Sequence, residues 1–256
     1  MSPALTSPAE PLPPAEPAAW PAAEHAPGLV LRGPPPPPLA SFGLAAFDMD
    51  STLISIECID EIADAAGRRA EVAAITDAAM RGEITNFTES LSRRLALLAG
   101  VPLSALQAVA EERLRLNPGV EAFVDACRGA GLKTLLVSGG FTFFSDRVKQ
   151  RLGIDFARAN VLEVADGVLT GRMVDQAWGD ICDGEEKRKT LLATCEQLGI
   201  SPKQSIAMGD GANDLPMMGV AGLSVAYHAK PAVRAQAMVA INSGGLDRLL
   251  EVVHTA

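Results

Sequence analysis

Four short apolar runs, each followed by Gly, Asp or Ser, constrain the fold of this chain more than any other feature: Leu44–Phe47, Leu132–Val137, Ser205–Met208 and Leu223–Ala226. Runs of this length, separated by stretches of helical spacing, read as buried strands of a parallel sheet joined by crossover helices. Polar residues then collect beyond the carboxyl ends of the strands. Open α/β sheets hold their ligands in that crevice.

The stretch between the first and second runs far exceeds the crossover of about a dozen residues that parallel strands need. It has little β-branched alternation, and Ile59, Ile62, Ala63 and Ala66 recur at helical spacing. Helices are expected over Ile54–Ala66, Glu71–Met80, Phe87–Leu98 and Leu103–Arg115, broken near Gly67, Gly82 and Gly100. A helical cap of this kind, inserted after the first strand, would exclude water from the crevice and select the substrate. Val161–Val164 and Val168–Gly171 flank Ala-Asp-Gly and predict a β-hairpin appended to the main sheet. Thirteen of the 18 prolines lie in the first 38 residues, ending in the run Pro34–Pro38, so an extended spacer or tail with little packing is expected there. The expected division is a tail over 1–40, an α/β core over 41–54 and 116–256, and a cap over 55–115.

A net charge of −9, no lysine before Lys133 and no basic stripe argue against electrostatic binding of nucleic acid. A phosphate ligand would have to be held by a few placed cations. Cys58, Cys127, Cys182 and Cys195 are widely spaced with no CxxC, which fits reduced thiols in a cytoplasmic protein. No apolar stretch approaches the roughly 20 residues of a membrane span, and the N-terminus lacks the basic start and apolar core of a signal peptide. A soluble, cytoplasmic protein is expected.

The chemistry gathers at the strand ends. FDMDST, Phe47–Thr52, sets Asp48 and Asp50 two residues apart, on one face of an extended chain, with Ser51 and Thr52 placed to satisfy the turn that follows. Paired acids repel unless a cation or proton lies between them, so they point to a hard, oxygen-ligated metal such as Mg²⁺. Taken alone, the motif reads equally well as a solvated acidic turn. VSGGF, Val137–Phe141, offers Ser138 and small residues whose amides can approach an anion ahead of a helix. GDGANDLPM, Gly209–Met217, places Asp210 where it can complete a metal site begun by Asp48 and Asp50, with Asn213 and Asp214 close behind. EEKRK, Glu185–Lys189, supplies a cation, and spacing alone leaves Lys187, Arg188 and Lys189 equivalent.

In this order, FDMDST, VSGGF, a lysine and GDGAND resemble the four motifs of the haloacid dehalogenase superfamily. The likeness runs from about Leu44 to Leu250, and STLI, ECIDEIA, SLSRRLALL and AYHAKP are similar to its phosphoserine phosphatase branch. The resemblance implies a Rossmann-like core and Mg²⁺-dependent hydrolysis of O-phospho-L-serine through an aspartyl-phosphate, the last step of serine biosynthesis. It implies Asp48 as nucleophile, Asp50 as acid and base, and Mg²⁺ held by Asp48, the Asp50 main-chain carbonyl and Asp210, with Asp214 behind them. Ser138, the Gly139 amide and Lys187 would hold phosphate, and Asn213 would touch the substrate. Glu57 would take the serine ammonium and Arg94 its carboxylate, the SLxxR pattern favouring Arg94 over Arg93. Met80 and Phe87 are candidate apolar walls, although a core role suits both. Some relatives carry an N-terminal regulatory domain; here a proline-rich segment stands in that place. Another small phosphomonoester, transfer of phosphate to an alcohol such as homoserine, and a non-catalytic phospho-ligand module are the competing functions. A homodimer is left open.

Overall fold

The apolar runs become strands, and their register decides where the polar ends meet. In the computed structural model, which describes residues 20–81, 83–176 and 181–253, the strands are β1 (Ala22–Ala26), β2 (Leu29–Arg32), β3 (Leu44–Phe47), β4 (Lys133–Phe141), β5 (Phe156–Asn160), β6 (Leu162–Ala165), β7 (Val168–Met173), β8 (Ser205–Gly209), β9 (Leu223–Tyr227) and β10 (Val239–Ile241). Eight of them form one sheet in the order β1-β2-β10-β9-β8-β3-β4-β5. From β10 to β5 every pairing is parallel, with the first strand of the motif pattern, β3, between β8 and β4. This is the expected α/β class with a mostly parallel sheet.

Alternation along each strand builds two apolar layers. Ala45, Phe47, Leu136 and Met208 join one buried cluster, whereas Leu44, Ala46, Leu135 and Ala207 join the other. The helices are α1 (Cys58–Ala65), α2 (Arg69–Met80), α3 (Phe87–Ala96), α4 (Leu103–Ala108), α5 (Val120–Gly129), α6 (Thr142–Leu152), α7 (Gly184–Leu198), α8 (Leu215–Val220) and α9 (Pro231–Arg234). Residues of α5 and α6 pack on the first face, where Phe123 meets Phe47 edge-on at 6.1 Å; those of α7 and α8 pack on the second. Helices α1 to α4 lie between β3 and β4 in sequence, where the expected cap was placed.

Three expectations need correction. Residues 22–32 are a hairpin rather than loose tail, because Leu29, Val30 and Leu31 pair antiparallel with β10 and Gly28 turns the chain at φ 74°. Aliphatic residues beside a Pro-Gly turn outweighed the proline-rich composition around them; residues 1–19 lie outside the described residues. The β6-β7 hairpin forms its own two-stranded sheet, because its backbone pairs with residues 100–103 through Gly100 N–H to Leu169 O, Leu169 N–H to Val101 O and Leu103 N–H to Gly167 O, all at 2.8 to 3.0 Å. The strand ending at Val137 runs on to Phe141, with an irregularity against β5 between those two residues. Two further strands, β5 and β10, went unread, since FARAN interrupts its apolar residues with Arg and Asn, and VAI is only three residues long.

Candidate active site

Parallel register brings the motifs together. Phe47 lies opposite Leu136 of β4 and Met208 of β8, so Asp48, Ser138 and Asp210 all emerge from one edge of the sheet. The Asp48 N–H donates to Met208 O at 3.0 Å, which continues the ladder one residue past the strand. Asp48 and Asp50 both keep extended backbone angles, and both line one cavity of 480 Å³. The irregularity in β4 falls on Ser138-Gly139-Gly140, lifting this segment out of the pairing with β5. A Cβ at Gly140 would stand 3.0 Å from Asp50 Oδ2 and from Ser138 Oγ, so a larger residue would crowd both side chains. Asn160 clamps the segment, donating to Gly139 O at 2.8 Å and accepting from the Cys182 N–H at 2.8 Å.

Lys187 is the cation that the fold selects. Asp183 caps α7 by accepting from the Glu186 N–H, and Lys187 then shares the buried helix face of Thr190, Leu191 and Thr194. Its Nζ donates to Asp48 Oδ1 at 2.5 Å and to Asp214 Oδ1 at 2.7 Å, with none of its side chain exposed. Arg188 instead pairs with Glu185 at the surface, and Lys189 reaches Glu186. The second Asp214 oxygen accepts the Gly211 N–H at 3.0 Å. A Cβ on Gly209 would come within 2.2 Å of the Asp214 carboxyl, so glycine there is what lets the aspartate tuck in.

Burial governs the charges. It raises Asp48 well above the usual carboxylate range, helped by Asp214 and Asp210, while Lys187 opposes it. Burial and then the Glu57 carboxylate push Asp50 up to about 7; its Oδ1 has no hydrogen-bond partner, and Cys58 bonds to the carboxylate from its backbone and thiol. Asp210 also rises to about 7, through burial and Asp214. Burial alone would lower Lys187, but Asp214 and Asp48 outweigh it and raise the ammonium. Single oxygens of Asp48, Asp210 and Asp214 lie within 4.8 Å of one another, a purely hard donor set of the kind that suits a divalent cation. With Asp214 already bonded to Lys187 and Gly211, Asp48 and Asp210 are the better placed of the three to ligate it.

The helices supply the opposite wall. Glu57 opens α1, and its Oε1 accepts from Ser51 Oγ at 2.6 Å; loss of hydration raises its carboxyl. Arg94 of α3 is half-buried in the cavity, whereas Arg93 points away and pairs with Glu89 at 2.5 Å. Burial lowers the Arg94 guanidinium, while Asp60 and Glu57 hold it up. Phe87 also lines the cavity, beside Gly139. The Met80 side chain lies outside the described residues. Ser138, Gly139 and Asn213 line the same cavity as Asp48 and Glu57, so these sequence candidates meet in one place, while Lys187 lies buried beneath it against Asp48.

Residues 45–219 match the family described as haloacid dehalogenase-like hydrolase. The chain belongs to that family. A phosphoserine phosphatase of Polaromonas sp. is 71% identical to this hydrolase over 231 residues, covering 90% of this chain and 98% of its own. Among solved structures, a probable phosphoserine phosphatase from Vibrio cholerae is 42% identical with a TM-score of 0.76, covering 88% of this hydrolase and 68% of its own chain. A phospho-aspartyl intermediate analogue of phosphoserine phosphatase is 37% identical with a TM-score of 0.75, covering 82% and 98%.

Sequence reasoning missed several cavity residues of this hydrolase. Asp60 follows Glu57 by three positions, a helical spacing that would have found it. Lys230, in the quoted AYHAKP run, follows β9 at its carboxyl end and also lines the cavity. Asn160, outside this cavity, carries no local signal because its partners come from distant turns, and Ser51, expected to satisfy its own turn, instead donates to Glu57 six residues on.

Proposed function

We propose that this hydrolase cleaves O-phosphoserine to serine and phosphate through an aspartyl-phosphate, an acyl phosphate on Asp48. The observation that carries the reading is the polarity of one cavity: two acids and buried Lys187 at its sheet end, Glu57 and Arg94 at its helical end. A phosphate fits the first end and a zwitterionic amino acid the second.

Asp48 attacks phosphorus in line, forming an Asp48 oxygen–phosphorus bond as the bond to the serine oxygen breaks. Lys187 opposes the burial that raises the Asp48 carboxyl and so favours its ionised, attacking form. Asp50, with a carboxyl near 7, gives its proton to the departing serine oxygen and then takes one from the water that releases phosphate. Ser138, the Gly139 amide and Lys187 hold the phosphate oxygens, and Asn213 contacts the substrate beside them. Glu57 meets the ammonium and Arg94 the carboxylate. Mg²⁺ held by Asp48, Asp210 and the Asp50 main-chain carbonyl would neutralise charge on the phosphoryl oxygens. No described helix is long and apolar enough to cross a membrane. With four free, buried thiols, the cytoplasm is the compartment this reading assigns.

Phosphate release from O-phospho-L-serine tests it. The wild type is expected to be active, EDTA to abolish the activity, and Asp48→Asn to lower kcat by about 10⁴-fold or more. Activity that survives Asp48→Asn would exclude the covalent route.

A further inference from the structure

The turn that carries Asp50 is strained, and a residue from outside it holds it in place. Ser51 adopts φ 57°, a region that non-glycine residues keep only where their surroundings over-determine it. Asn117 supplies that constraint. Its Nδ2 donates to the carbonyls of Ser51 at 3.3 Å, Thr52 at 2.9 Å and Ile54 at 3.0 Å, and its N–H donates to Leu53 O at 2.9 Å. Two amide hydrogens thus serve three acceptors, one of them shared. The following residue is Pro118, whose ring restricts the backbone of the residue before it and so narrows the directions in which the amide can point.

Asn117 also stands where the chain returns from the helical segment to the sheet. Ile54 bridges Leu116, and the Ser55 N–H donates to Arg115 O at 2.9 Å, so the outgoing and returning chains run side by side. Asp48 is anchored elsewhere, through Met208 of β8. Loss of Asn117 therefore loosens the turn beyond Asp48 and leaves the nucleophile in register.

The geometry points to Asn117 as a positioning residue for two proposed functions at once. It sets the Ser51 turn so that Asp50 stands at the leaving oxygen, and so that Ser51 Oγ keeps Glu57 at the ammonium end. This rests on the roles proposed above for Asp50 and Glu57. A misplaced acid matters most where the leaving group needs a proton, and a misplaced Glu57 matters only to a substrate with an ammonium.

The test compares kcat/KM for O-phospho-L-serine and for p-nitrophenyl phosphate in the wild type and in Asn117→Ala. Phosphoserine is expected to lose about 100-fold, the scale of a misplaced catalytic group. The aryl ester, whose phenolate leaves unprotonated and which has no ammonium, is expected to lose about ten-fold or less, its loss coming through the Asp50 main-chain carbonyl proposed for Mg²⁺. Should Asn117→Ala fail to fold, Asn117→Thr keeps one donor and carries the same comparison. Equal losses on the two esters, or no loss on either, overturn the role of Asn117. A wild type inactive on phosphoserine overturns the proposed function beneath it.

Discussion

The two ends of the cavity are built on opposite principles. At the sheet end Asp48, Lys187 and Asp214 are withdrawn from water, and each charge meets another within 2.7 Å. At the helical end, among the described residues, neither Glu57 nor Arg94 is in an ion pair: Glu57 accepts from Ser51 Oγ, and the half-buried Arg94 donates to Ser90 O. A buried charge is tolerated only when paired and hydrogen-bonded, so Asp48 and Asp214 have to be packed around the shared Lys187 ammonium before any substrate arrives. The helical end leaves Glu57 and Arg94 without an oppositely charged partner in contact, so both can pair with a ligand. Chemistry and selection are thereby separated in one cavity, one preformed and the other waiting for its partner.

The sharpest way to break this comparison is at its buried end. Lys187→Met leaves Asp48 and Asp214 facing each other unpaired and is expected to lower stability by about 3–5 kcal/mol, read by urea unfolding, along with most of the activity. A loss below about 1 kcal/mol would mean that the sheet end is not the compensated unit described. Next comes the helical end, where Arg94→Ala should cost about 2–3 kcal/mol in kcat/KM for phosphoserine, with little change in stability or in hydrolysis of p-nitrophenyl phosphate. A parallel fall on both esters would move Arg94 from selection to chemistry. The smallest expected effect belongs to Arg93→Ala. Its exposed pair with Glu89 contributes about 0.5 kcal/mol or less, and activity should stay at the wild-type level.

Legibility followed the range of the interactions. Strands β3, β8 and β9 were visible as apolar runs, and the chemical motifs at their ends were visible because Asp, Gly and Ser recur at each one. The helices between β3 and β4 showed in the spacing of Ile59, Ile62 and Ala63, with breaks at Gly67 and Gly100, both of which take positive φ. The N-terminal hairpin was hidden by proline content, since composition averages over a segment while a strand needs only a free sheet edge to pair with. Spacing could not separate Lys187 from its neighbours, or Arg94 from Arg93, without the family pattern. Burial of one helix face separates each pair in the structure.

By itself the sequence determined the alternation of strands and helices, the insertion after β3 and the acids at the strand ends, because these follow from local periodicity and from residue types at fixed spacing. Tertiary structure alone decided that Asp48, Lys187 and Asp214 form one buried charge cluster across residues as far as 139 positions apart. It also decided that Asn117 and Asn160 tie down the two turns beside the cavity. Strand register and helix rotation set those contacts, and both are properties of the packed core as a whole, which no window along the chain contains.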